Sequence, residues 1–324
     1  MKAIEIFQLT GPRTALRISD FAAPDSDADG VVIEVKAAGV SFPDLLQTRG
    51  EYQIKPQLPF VPGSEISGVV RSAPPGHPVS PGDRVVALCM TGGFAEVAVA
   101  PAPMTFALPD ALDFAQGAAL VVNYHTAYFA LVTRAGLLAG ETVLVHGAAG
   151  GVGTAAIQVA KGLGARTIAV VSSDAKATVA RDAGADAILR TDAGWKDEAL
   201  ALTDGTGVDV VIDPVGGDRF TDSLRALASG GRLVVVGFTG GAIPEVKVNR
   251  LLLKNTAVVG AGWGEHLMST KLAYGREAAD AIAALTRDGH IAPIVTTRLP
   301  LDQAAEALEL LDTRRATGKV VLEP

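Results

Sequence analysis

The chain has 324 residues, enough for two domains with cores of their own at a usual size of roughly 150 residues each. Hydrophobic residues make up 48% and charged residues 19%, so it is globular, and no run reaches the ~18–20 consecutive apolar residues of a membrane-spanning helix. A net charge of −7 argues against a polybasic surface for nucleic acid or membrane, and the single cysteine, Cys89, excludes an internal disulfide and a multi-thiolate zinc cluster. Met1-Lys2-Ala3-Ile4-Glu5 meets an acid before any apolar segment begins, so no secretory signal is expected and a cytoplasmic protein is.

The first third reads as short strands. Val31-Val32-Ile33-Glu34-Val35 is β-branched and strand-like, as are residues 66–70, 84–88 and 94–99. Pro62-Gly63, Pro74-Pro75-Gly76 and Pro81-Gly82-Asp83 punctuate them at short intervals, which suits a compact, irregular barrel. A helical stretch is predicted over 114–132. Six apolar runs then alternate with helix-length segments, at 142–145, 167–171, 187–189, 208–212, 232–236 and 257–259. That alternation is the signature of βαβ units and a parallel sheet covered on both faces. A helix over 278–285, a strand over 294–299, a helix over 303–313 and a strand over 319–322 follow. These exceed what six strands need and are expected to rejoin the first domain.

The most informative segment is Thr142-Val-Leu-Val-His-Gly-Ala-Ala-Gly-Gly-Val-Gly153, a strand running into a glycine turn and then a helix over 154–163. A pyrophosphate needs close backbone approach and free N–H groups at a helix N-terminus, and this order supplies both. Ala148 stands at the first glycine position of the G-x-G-x-x-G pattern, with Gly150 and Gly153 at the others. Gly150, Gly151 and Val152 are therefore candidate cofactor residues. The second strand ends in Ser172-Ser173, with Lys176 one turn later, where an NAD-selective site would place an acid on the ribose hydroxyls. Hydroxyls and an ammonium suit a 2′-phosphate, which favours NADPH. Asp174 counts against this, although it lies beyond the expected position and can instead cap the helix over 175–183, and Arg190 is a second candidate phosphate partner.

Ala148-Ala-Gly-Gly-Val-Gly153, Asn123-Tyr-His-Thr-Ala-Tyr128, Asp213-Pro-Val-Gly-Gly217 and Thr317-Gly-Lys-Val-Val-Leu322 resemble the medium-chain dehydrogenase/reductase superfamily, and within it the zinc-independent NADPH:quinone oxidoreductases. The likeness begins at Val31-Val-Ile-Glu-Val-Lys-Ala-Ala-Gly-Val40 and runs to the C-terminus. It implies an α/β chain with a GroES-like β-barrel domain over 1–118 and 266–324. The resemblance further implies a Rossmann doubly wound parallel sheet domain over 119–265 that binds NADPH, with the active cleft expected between the two. It also implies a homodimer paired through the sheet edge at 257–260. By the same resemblance Ser41 and Asp44 lie near the nicotinamide ribose and Thr126 beside the nicotinamide. Phe238, Thr239, Trp263 and Gly264 approach the nicotinamide side, and Lys319 the cofactor end of the cleft. Thr191 stands where relatives often have a tyrosine near the adenosine phosphate.

Zinc alcohol dehydrogenases of this superfamily carry a cysteine and a Gly-His-Glu where this chain reads Ser41 and Gly63-Ser64-Glu65. Serine hydroxyls do not replace thiolate and imidazole as zinc ligands, and none of the five histidines has a metal-ligand spacing, so no metal is expected. Without a Lewis acid to polarise an alcohol, the remaining chemistry is hydride transfer to an acceptor that is already electrophilic, a quinone or an enone. Tyr52 is the candidate catalytic residue, as proton donor or as pocket wall with water supplying the proton. Two other readings stay open: an enoyl- or acryloyl-thioester or enone double-bond reductase, and a non-catalytic NADPH-binding protein. Cys89, in a Val85-Val-Ala-Leu-Cys89 strand, reads as core.

Overall fold

A computed structural model of the chain describes residues 1–24, 30–192 and 194–324. Contacts divide it into two compact units. One comprises Met1–Val122, Lys271–Asp280 and Pro293–Pro324, the other Asn123–Thr270 and Ala281–Ala292. The helix Ala273–Arg287 is thus shared between them.

The first unit is built on a seven-stranded sheet whose path runs Val295–Pro300, Lys319–Glu323, Val31–Val40, Glu65–Ser72, Arg84–Leu88, Thr105–Ala107, with Val97–Ala100 also paired to Val31–Val40. The pairings are antiparallel except that of the two C-terminal strands with each other. The C-terminal strand enters with Val320 opposite Val40 and Leu322 opposite Ala38, so the end of the chain completes the sheet that its beginning starts. Ile33, Val35, Ile66, Val85, Phe94, Leu308 and Val320 fill the core on one face. Cys89 lies in that core and burial pushes its thiol up to about 12, the behaviour of a packing residue. The N-terminal pair Lys2–Ile6 and Leu16–Asp20 had no counterpart in the strand pattern, because the second strand faces solvent over most of its length.

In the second unit six parallel strands lie in the order Ala187–Arg190, Arg166–Val171, Thr142–His146, Val208–Asp213, Leu227–Val235, Ala257–Gly260. The chain winds outward from the strand Thr142–His146 in one direction, then returns to its other side at Val208–Asp213. Ligands of open parallel sheets bind at the carboxyl ends of the strands where the order reverses. Leu144, Val211 and Leu233 pack under Phe220 and Leu224, and Trp195 closes the same cluster.

The helix predicted over 114–132 is broken into four pieces, Phe114–Gly117, a π segment Leu120–Tyr124, His125–Tyr128 and a second π segment Phe129–Arg134. Apolar periodicity places such a stretch inside the protein, but it does not show where one residue too many per turn is accommodated.

Candidate functional site

The nucleotide unit offers a turn in which three glycines are small for three different reasons. The helix Gly151–Gly162 begins after Gly150, which has an extended backbone and contributes no side-chain cap, so the first N–H groups of the helix remain available. A Cβ at Gly153 would lie 2.2 Å from the Gly147 carbonyl oxygen and 2.7 Å from the Ala148 Cα, so this position lets the helix start pack on the turn. A Cβ at Gly151 would lie 2.4 Å from the Asn123 side-chain nitrogen. At Gly150 the nearest atom is 3.4 Å away, an ordinary contact, and nothing in the protein requires the missing side chain there. That opening is the space a pyrophosphate needs to reach the helix N-terminus. Val152 follows it, half-buried.

At the end of the second strand, Ser173 is the cap of the helix Asp174–Asp182, its hydroxyl accepting the Lys176 backbone N–H at 3.3 Å. The expectation that Asp174 caps this helix is therefore corrected. Ser173 has the extended backbone of a cap, while Asp174 is already helical and turns its carboxylate to Arg190. The Ser173 hydroxyl proton remains free to be donated. Lys176 donates to the Ser172 hydroxyl at 3.4 Å, and Arg190 to the Ser172 carbonyl at 3.2 Å, so two cations converge on one exposed serine. This grouping fits the 2′-phosphate of NADPH better than the bare hydroxyls of NADH.

Beyond the fourth strand, Asp213 accepts the N–H groups of Val215 and Gly216, both at 2.9 Å, and closes a tight turn in which Gly216 and Gly217 have φ of +67° and +73°. Thr239 donates its hydroxyl to the Pro214 carbonyl at 3.0 Å and Phe238 abuts Gly216, so both residues brace this turn from the following loop rather than from the fifth strand itself. Trp263 opens the helix Trp263–Ser269 and is buried, edge-on to His125 with ring centroids 5.7 Å apart. Gly264 has no atom within 4 Å of a would-be Cβ. Thr126 is half-buried on the same helical turn as His125. Burial holds His125 and His146 down at about 3, so both are neutral near pH 7.

The barrel unit holds a different kind of cluster. Lys319, in the last strand, donates to the Ser41 hydroxyl at 2.8 Å and forms an ion pair with Glu65, although all three are almost fully buried. Glu65 also accepts the Val122 backbone N–H at 2.8 Å. At the start of the helix Phe42–Gln47, Asp44 forms a capping box with Ser41, accepting the Ser41 backbone N–H at 2.8 Å, and also accepts the Ser64 hydroxyl at 2.9 Å. Burial pushes the Asp44 carboxyl up to about 6, against the opposing pull of these donors and of the Lys319 charge. Tyr52 lies half-buried beside it, and its phenol is held above the ordinary range, first by burial and then by the Asp44 charge.

Ser41, Asp44 and Lys319, expected on the cofactor, are thus bound to one another or to their immediate neighbours. Ser64 and Glu65, read only as the remains of a zinc motif, are equal members of the cluster. The signal for Glu65 was an acid at the head of the apolar strand Glu65–Ser72, a place where a carboxylate needs a buried partner. No group of three or more His, Cys, Asp or Glu side chains suited to a metal ion occurs among the described residues, and no helix among them is long and apolar enough to cross a membrane.

Comparison with known proteins agrees with both halves of this description. Residues 27–110 match the alcohol dehydrogenase GroES-like domain, and residues 151–293 match the zinc-binding dehydrogenase family. The quinone oxidoreductase-like protein 2 of Bos taurus is 40% identical over 295 residues, covering 90% of this chain and 84% of its own. A crystal structure of a probable oxidoreductase from Mycobacterium abscessus superposes with a TM-score of 0.91 at 48% identity, covering 100% of this chain and 99% of the other. The quinone oxidoreductase of Thermus thermophilus, solved also as its complex with NADPH, gives a TM-score of 0.84 at 35% identity, covering 100% of both chains.

Proposed function

Since the chain belongs to the quinone oxidoreductase-like family of the medium-chain dehydrogenase/reductase superfamily, and is an NADPH-dependent oxidoreductase, we propose that it reduces quinones or enones without zinc. The single observation that carries the reading is the pairing of an open Gly150 turn with a serine–lysine–arginine group at the second strand end, which together accommodate a 2′-phosphorylated dinucleotide. When bound, NADPH supplies the hydride. The glycine turn holds the pyrophosphate. Ser172, Ser173, Lys176 and Arg190 take the 2′-phosphate.

Tyr52 is the proposed polar group toward the acceptor. With its phenol held above the ordinary range by burial and by Asp44, it stays protonated near neutral pH and acts as a hydrogen-bond donor to a developing oxyanion. Water then completes the protonation. Zinc independence is supported by Lys319, whose ammonium lies on Ser41, at the superfamily's cysteine position, and on Glu65, next to the position of its histidine. Phe238, Thr239, Trp263, Gly264 and Thr126 are proposed to line the nicotinamide end. The proposed homodimer pairs through the outer strand Ala257–Gly260, beside which Leu252 and Leu253 are 76% and 79% exposed. Cys89, the one thiol, is free and fits a reducing compartment, so a cytoplasmic setting belongs to the same reading.

The test is loss of NADPH absorbance against a benzoquinone, a naphthoquinone, a linear enone and crotonyl-CoA, with NADH in parallel. Preferential quinone turnover with NADPH is expected. Turnover confined to the enone or the thioester would move the activity to alkene reduction, and silence with NADPH bound would leave a binding protein. In the same assay Lys176→Glu is expected to raise the KM for NADPH about tenfold or more by placing an anion beside the phosphate.

A further inference from the structure

Asn123 is a polar side chain at the glycine turn that none of the site assignments uses. It is 6% exposed, and its carboxamide makes no hydrogen bond with any described residue. The side chain is largely buried, but its amide atoms are not sealed from solvent, so its donor capacity is open to a ligand that docks at the turn. Its position is fixed from two sides. The carboxamide fills the space a side chain at Gly151 would occupy, with its nitrogen 2.4 Å from that would-be Cβ. The next residue, Tyr124, donates its hydroxyl at 2.7 Å to Gln158, which lies two turns further along the same helix. Gln158 is itself held by both the N–H and the carbonyl of Ala292, at 3.0 and 2.9 Å. Tyr124 is therefore tied to the helix Gly151–Gly162, and Asn123 before it lies at the helix's open N-terminal end.

That end lacks a side-chain cap, and the neighbouring Gly150 is the position where the protein leaves space. We propose that Asn123 is a further cofactor-binding residue, its amide N–H donating to the pyrophosphate of the dinucleotide that docks over Gly150. The inference rests on the NADPH reading above and adds a residue to it. Two properties of the side chain suit the role. An amide donates to a phosphate oxygen without adding a charge that would need its own counter-ion in the free protein. Being clamped beforehand, it also loses little conformational freedom when the ligand arrives.

The experiment is equilibrium binding to the full-length protein, read by calorimetry, for the parent, Asn123→Ala and Asn123→Asp. The ligands are NADPH and adenosine 2′-monophosphate, which carries the 2′-phosphate but no pyrophosphate. Asn123→Ala is expected to weaken NADPH about tenfold, the value of one hydrogen bond to a charged group. Asn123→Asp, equal in size but anionic, is expected to weaken it about thirtyfold or more. Adenosine 2′-monophosphate should bind all three proteins alike. NADPH affinities within about twofold of the parent for both variants would overturn the proposal, since a lost hydrogen bond is worth more than that. So would a parallel loss for adenosine 2′-monophosphate, which would mean that the unit as a whole had been disturbed. If Asn123→Ala fails to fold, the isosteric Asn123→Asp decides alone. A parent that does not bind NADPH would overturn the cofactor reading and this proposal together, whereas a parent that binds beside unaffected variants overturns this proposal only.

Discussion

The glycine turn at residues 147–153 and the cluster of Ser41, Asp44, Ser64, Glu65 and Lys319 handle polar groups in opposite ways. The turn leaves helix N–H groups and an amide without a partner among the described residues and keeps Gly150 clear. The cluster leaves almost nothing unsatisfied: each carboxylate has two donors or more, and the single ammonium is shared between Ser41 and Glu65. The difference teaches how a ligand site is told from a structural network. A binding site for an anion must hold its donors in place at the expense of the free protein, while a buried ion pair is stable only when every member is matched.

The largest expected effect tests the saturated side of this comparison. Lys319→Ala should destabilise the protein by about 3–5 kcal/mol in urea unfolding, because it strands Glu65 as a buried unpaired charge. The double variant Lys319→Met with Glu65→Gln should recover most of that loss. A loss below about 1 kcal/mol for the single variant would show that the cluster is hydrated and that the contrast does not hold.

The glycine turn can be divided by two alanines. Gly153→Ala should cost about 3 kcal/mol, since its Cβ would meet backbone atoms that have nowhere to go. Gly150→Ala should change unfolding of the free protein by less than about 0.5 kcal/mol yet weaken NADPH by about tenfold, because only the ligand competes for that space. Equal stability losses in the two variants would erase the distinction between a packing glycine and a ligand glycine.

Asp44 supplies the pH dependence. Its carboxyl is raised from 3.8 to about 6, chiefly by burial, so the folded state holds the proton more tightly than the unfolded chain. The resulting stabilisation, of order 2–3 kcal/mol, is fully present below pH 3.8 and is lost as pH rises through about 6. Asp44→Asn should remove this falling component between pH 4 and 6, seen as a flatter dependence of the urea midpoint on pH. An unchanged slope would place the titration elsewhere.

Much of this was readable from residue order. The six runs between 142 and 259 announced a parallel sheet because each is short, β-branched and followed by a helix-length connection, and the sheet order only arranged them. Ser172, Ser173 and Lys176 were legible for a similar reason: they lie within one turn of a strand end, and local geometry alone brings them together. Glu65 and Asn123 were not legible in this way. Lys319 reaches Glu65 across 254 positions of sequence, through the strand pairing that joins the end of the chain to its start. Asn123 reaches Gly151 from a π segment, a departure from α-helical geometry that apolar periodicity does not reveal.

By itself, then, the amino-acid order determined the two architectures, the glycine turn and the serine–lysine group proposed to take the 2′-phosphate, since periodicity, capping and turn chemistry act over a few residues. Which polar groups are matched and which are left waiting was decided only by the tertiary structure. Matching is a property of distance in space and of burial, and both are settled only when distant strands and helices have packed.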